Sequence, residues 1–158
     1  SAEAGVDGLI TVDLPPEEED RLDQALIPKG IDNILLISPT TAKERIQKII
    51  TRARGFIYYV AVKGVTGSGG LDVEEVAERV GLIRDLTDLP VAVGFGIKDA
   101  DSARQVAEVA DAVVVGSALI DEMLKKSQTD VGLEEIQIHE AAVKLLKRIR
   151  VGVDSSHF

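Results

Sequence analysis

The chain has 158 residues, 45% of them hydrophobic and 28% charged, with a net charge of −9 and no cysteine. That length supports one domain with a sizeable core. The acidic balance argues against nucleic acid or an anionic membrane as partner, and the lack of cysteine removes disulfides, thiolate metal sites and a cysteine nucleophile. An anionic small substrate stays open, because converging backbone N–H dipoles bind phosphate even on an acidic protein. No apolar run approaches the roughly 20 residues of a membrane span, and no basic-then-apolar signal opens the chain; a cytoplasmic location is the expectation. Aromatics are only 3%, so Val, Ile, Leu and Ala must fill the interior.

The chain opens with Ser1-Ala-Glu-Ala-Gly5 and not with Met, which reads as entry partway through a helix, from a truncated or processed start. Gly8 to Asp13 is a first strand, stopped by Leu14-Pro15-Pro16. Glu17 to Leu26 is a helix with an acidic first turn, as the helix dipole favours. Asn33 to Ser38 is a second strand, and Pro39-Thr-Thr41 introduces a helix from about Ala42 to Arg54 with Ile46, Ile49 and Ile50 on one face. Gly55 to Val62 is a third strand. Gly64-Val-Thr-Gly-Ser-Gly-Gly70 is a glycine-rich loop, followed by a helix from Val73 to about Leu86.

Two β-branched runs then end in glycine: Val91-Ala-Val-Gly-Phe-Gly-Ile-Lys98 and Ala112-Val-Val-Val-Gly-Ser-Ala-Leu119. Each leads straight into a helix, Asp101 to Val109 and Leu119 to Lys126. Residues 133–149 form a further amphipathic helix, and Val151 to Phe158 read as a frayed tail beyond a single domain over residues 1–150.

Five nearly continuous apolar runs alternating with helices mean an α/β fold with a parallel sheet. A doubly wound sheet and part of an eight-stranded barrel both fit. The glycine-ended last two strands favour the barrel, whose phosphate site is often built from the loops after its final strands and a helix N-terminus. Glycine there lets backbone N–H groups approach an anion with no side chain in the way.

The ordered set Gly5-Val-Asp-Gly8, Val12-Asp-Leu-Pro15, Ser38-Pro-Thr40, Gly55-Phe-Ile-Tyr-Tyr59, Gly64-Val-Thr-Gly67, Val93-Gly-Phe-Gly-Ile97 and Val115-Gly-Ser-Ala118 resembles the α subunit of tryptophan synthase. The resemblance runs to about Leu146. It implies a (β/α)8 TIM barrel of roughly 250 residues, of which this chain would supply the C-terminal five β/α units. It also implies a lyase of tryptophan biosynthesis that splits indole-3-glycerol phosphate into indole and glyceraldehyde 3-phosphate. The family's catalytic glutamate and aspartate fall outside this stretch; neither Asp13 nor Glu17 to Glu19 matches them.

What the resemblance assigns here is substrate binding. Gly67, Gly96, Gly116 and Ser117 would hydrogen-bond the glycerol phosphate, and Tyr58 would line the pocket near the glycerol. Phe95 would touch the indole ring, with Val12 and Ile37 as further apolar wall. Thr66 would belong to the mobile loop that closes over substrate, in a supporting role. Asp13, Pro15 and Gly64 match positions near the contact with the β subunit. The subunit would need no cofactor or metal, pyridoxal phosphate being expected only in the β subunit of the heterotetramer.

Plainer readings accompany these. The glycines are also what tight strand-to-helix turns require, Ser117 would serve as a helix cap, and Asp13 as a backbone-satisfied carboxylate. Tyr58 and Tyr59, adjacent on one strand, must face opposite ways, and the resemblance points Tyr58 inward. His139 and His157 have no partner at a catalytic or metal spacing and read as surface residues. The rivals are another phosphate-binding TIM-barrel enzyme and a non-catalytic half-barrel that binds phosphate or self-associates.

Overall fold

The computed structural model describes residues 1–158 except 13, 15, 62–71, 95, 130–134 and 158, and the side chains of these and of 16, 17, 19, 129, 135 and 157 are not described. Five strands run β1 (Gly8–Ile10), β2 (Asp32–Ile37), β3 (Ile57–Val60), β4 (Val91–Gly94) and β5 (Ala112–Val114). They form one parallel sheet in the order β1-β2-β3-β4-β5. Between and after them lie α1 (Pro16–Leu26), α2 (Lys43–Ile50), α3 (Val73–Arg84), α4 (Ala100–Ala107), α5 (Ser117–Thr129) and α6 (Glu135–Asp154).

Alternation along each strand sorts residues onto two faces. Ile37 pairs with Tyr59, Tyr59 with Val93 and Val93 with Val113. That row packs on Ile46 of α2, Val76, Val80 and Ile83 of α3, Ala103 and Val106 of α4, and Leu145 and Ile149 of α6, all in one cluster. Each such Val, Leu or Ile side chain contributes about 1.5–3 kcal/mol on burial. The opposite row, Leu36, Tyr58, Ala92, Ala112 and, one step along, Val60, Gly94 and Val114, supplies nothing to that cluster.

Helices on one face and strands in sequential order distinguish the two folds left open above. A doubly wound sheet carries helices on both faces and reverses its strand order. Among the described residues this sheet does neither, and its architecture is five β/α units of a barrel. The strands' N-terminal ends are tied by Asp111, whose carboxylate accepts from the Val91 amide at 2.8 Å and from Arg84 at 2.9 Å.

The C-terminus departs from expectation. The tail predicted from Val151 is instead the last turn of α6, continued by a short 3-10 turn at Ser155–His157. Gly152 is buried, and a β-carbon there would collide with the Ala100 carbonyl at the start of α4. Close backbone approach of α6 to α4, together with Val153 packed against the core cluster, holds this segment. No described helix is long and apolar enough to cross a membrane.

Candidate functional site

Parallel pairing puts every strand's C-terminal end on the same side of the sheet. Gly94 of β4 pairs with Val114 of β5, so the turns at Gly96 and at Gly116 emerge side by side. Gly96 has φ 75°, a left-handed conformation that disfavours any residue with a β-carbon. This bend leaves Gly96 at the surface while Ile97, 4% exposed, drops into the core cluster.

The two helices that follow are finished differently. Asp99 caps α4 and accepts from the Ser102 amide at 2.8 Å, while Ser102 Oγ accepts from the amides of Lys98 and Asp99. The side-chain and backbone hydrogen bonds from Ser102 hold the Asp99 carboxyl below its ordinary range. A carboxylate therefore already occupies the α4 N-terminus. At α5 the Gly116 carbonyl accepts from Leu119 at 2.9 Å, which makes Gly116 the cap and Ser117 the first helical residue. The expected capping role for Ser117 does not occur: its side chain is exposed and makes no hydrogen bond with the described residues. The first-turn amides of a helix lack intrahelical acceptors and favour an anion.

Tyr58 lies on the face away from the helices, as expected, half-buried beside Gly94. A β-carbon at Gly94 would sit 2.5 Å from the Tyr58 hydroxyl oxygen and 2.7 Å from its ring. Gly94, read in the sequence with Gly96 and Gly116 as a turn or phosphate-site glycine, is thus the residue that makes room for this tyrosine. Tyr59 faces the other way and is 1% exposed. Burial first, then the Glu75 carboxylate, pushes its phenol up, with Arg79 opposing; it remains a neutral packing group.

Ile37 is a correction. Expected on the pocket wall, it pairs with Tyr59, is 1% exposed and lies in the cluster under the helices. The period of two decides this, and the neighbouring Leu36, paired with Tyr58, takes the opposite face. Val12 is 63% exposed just past the end of β1 and borders a cavity of about 210 Å³ with Thr11, Leu14 and Leu36. Asp13, Pro15, Gly64, Thr66, Gly67 and Phe95 lie outside the described residues.

Sequence reasoning did not find Arg79, which donates to the Pro39 carbonyl at 2.9 Å and ties α3 to the loop after β2. It also missed the Asp99–Ser102 cap, although aspartate three residues before serine at a helix start is a readable signal. Larger concavities of about 670 and 620 Å³ lie between α5 and α6 and between β5 and α6, and neither includes a predicted site residue. Among the described residues no group of three or more His, Asp or Glu could hold a metal, and His139 is exposed on α6.

A family profile described as tryptophan synthase alpha chain matches residues 1–148. The tryptophan synthase alpha chain of Thioalkalivibrio sulfidiphilus is 57% identical over 128 residues, covering 81% of this chain and 48% of its own length. That of Marinobacter nauticus is 46% identical over 155 residues, covering 98% and 56%. Among solved structures, a tryptophan synthase alpha chain from Legionella pneumophila superposes with a TM-score of 0.78 at 39% identity, covering 96% of this chain and 53% of that one. The chain spans about half the length of the relatives it matches.

Proposed function

Because the chain belongs to the tryptophan synthase alpha chain family, we propose that it carries the substrate-holding half of a carbon–carbon lyase acting on indole-3-glycerol phosphate. The observation that supports this reading is the pair of adjacent turns at Gly96 and Gly116, with the α5 amides and the Ser117 hydroxyl free to meet an anion. The α4 terminus, already capped by Asp99, contributes no charge attraction, so the phosphate sits against α5.

In the reaction, a proton is delivered to indole C3 and the glycerol hydroxyl next to the breaking bond loses its own. The carbon–carbon bond then opens to indole and glyceraldehyde 3-phosphate. Anchoring the phosphate fixes the glycerol chain, and that positioning is how binding lowers a reaction barrier. Tyr58, on the inner face beside Gly94, borders the glycerol; Phe95 and Val12 face the indole; Gly67 and Thr66 belong to the closing loop. The residues that move the protons are not assigned to this chain. The step needs no metal or cofactor, and indole passes to a β subunit that uses pyridoxal phosphate, met through Asp13, Pro15 and Gly64. A soluble step of this kind belongs in the cytoplasm.

Calorimetric titration with glycerol 3-phosphate tests the site. The chain should bind it, and Gly116→Val should abolish binding while leaving the fold intact, because nothing lies within 4 Å of a β-carbon at Gly116. Unchanged affinity in that variant removes the site. Indole release should be absent from the chain alone and appear when the N-terminal half of a relative's alpha chain is added.

A further inference from the structure

On a chain of net charge −9, positive charge gathers along one helix. Ala141 to Val153 contains no acidic residue but holds Lys144, Lys147, Arg148 and Arg150. Arg150 pairs with Asp154, one turn on. Lys144, Lys147 and Arg148 are exposed and make no ion pair or side-chain hydrogen bond among the described residues. They stand three and four residues apart, where like charges on a helix repel at about 0.2–0.5 kcal/mol per pair. Glu140 precedes Lys144 at the spacing that favours an ion pair, yet none joins them. The three cations open onto a groove of about 670 Å³ between α5 and α6, with Lys126 on the α5 wall. Glu122, the acidic residue on that wall, is engaged by Lys125. The groove is built from two helices that pack on each other, and it lies away from the β5 edge. Val143 and Leu146 of α6 turn to that edge, whereas Ala141, Lys144 and Arg148 turn to α5.

We propose that the α5–α6 groove binds a small polyanion of the di- or triphosphate class. The volume falls within the roughly 300–1,000 Å³ of small-molecule sites. From Lys144 to Arg148 the helix rises about 6 Å, the reach of a short phosphate chain. An extended acidic peptide would need cations along all of α6, but its first turns carry Glu135 and Glu140 instead. The planar fork of Arg148 can hold two phosphate oxygens at once, and the lysines add point charges beside it. A bound polyanion also removes the repulsion among the three cations. The site is separate from the turn at Gly116: its α5 residues begin at Glu122, past the first turn of that helix.

Calorimetric titration of the chain with inorganic triphosphate at low salt tests this. Saturable binding with a Kd below about 1 mM is expected, weakening as salt rises. Lys144→Gln combined with Arg148→Gln should weaken it at least about tenfold. Without anion that double variant should melt no lower than the parent chain, because it removes repulsion and leaves no partner stranded. Lys43→Gln combined with Lys48→Gln removes the same charge from exposed positions on α2 and should leave binding unchanged. Gly116→Val should retain triphosphate binding whatever becomes of glycerol 3-phosphate. No binding, indifference to the α6 pair, a lower melting temperature in that pair, an equal loss from the α2 pair, or loss in Gly116→Val each overturns the proposal.

Discussion

Replacing Gly94 with alanine sets a β-carbon 2.5 Å from the Tyr58 hydroxyl oxygen and 2.7 Å from its ring, well inside the roughly 3.5 Å of an ordinary non-bonded contact. Overpacking of this size costs about 1–3 kcal/mol. Alanine also stiffens the unfolded chain, which returns about 0.4–1 kcal/mol. The net expectation is a loss of about 1.5 kcal/mol in the parent chain. In a Tyr58→Ala background the obstruction is gone and only the gain remains. A double-mutant cycle by urea denaturation should therefore give a coupling of about 1–3 kcal/mol between the two positions. In the same variant Tyr58 leaves its place on the inner face, and affinity for glycerol 3-phosphate should fall with it. If Gly94→Ala destabilises equally in both backgrounds, Tyr58 does not rest on Gly94 and its placement over the site is wrong.

Gly152→Ala should lower the melting temperature, against the gain of about 1 kcal/mol that helix propensity alone favours, because its β-carbon meets the Ala100 backbone. Gly81→Ala in α3, with open space around it, should raise it, and differential scanning calorimetry compares the two. Asp111→Asn should destabilise at neutral pH and flatten the acid limb of the stability curve. Burial opposes the charged Asp111 carboxylate, but the Val91 amide and the Arg84 guanidinium outweigh it and hold its pKa below the ordinary range. Its contribution is full above the ordinary carboxyl range and vanishes as pH falls through the lowered folded value; chemical denaturation across that range measures it.

The strands, the two faces of the sheet and the glycine turns could be read in the chain because they depend on local rules. Continuous Val-rich runs gave parallel strands, their alternation separated Tyr58 from Tyr59, and glycine at strand ends marked turns at one end of the sheet. What escaped depends on register and packing between distant segments. Ile37 carries no sign of its face, since β2 is apolar on both sides over Ile34 to Ile37. The role of Gly94 is visible only when β3 lies beside β4 with Tyr58 opposite Ala92. The segment from Val151 read as a frayed tail because nothing nearby in sequence announces Ala100 as the neighbour of Gly152.

The sequential order of the sheet bears on how the molecule is made. Each strand hydrogen-bonds to the strand that precedes it in the chain, so every new β/α unit finds its docking site already synthesised. Loops to be closed stay short, and rates of folding follow such short sequence separations. A nascent chain on the ribosome could add one strand and helix at a time, with α6 following α5 to brace it and α4.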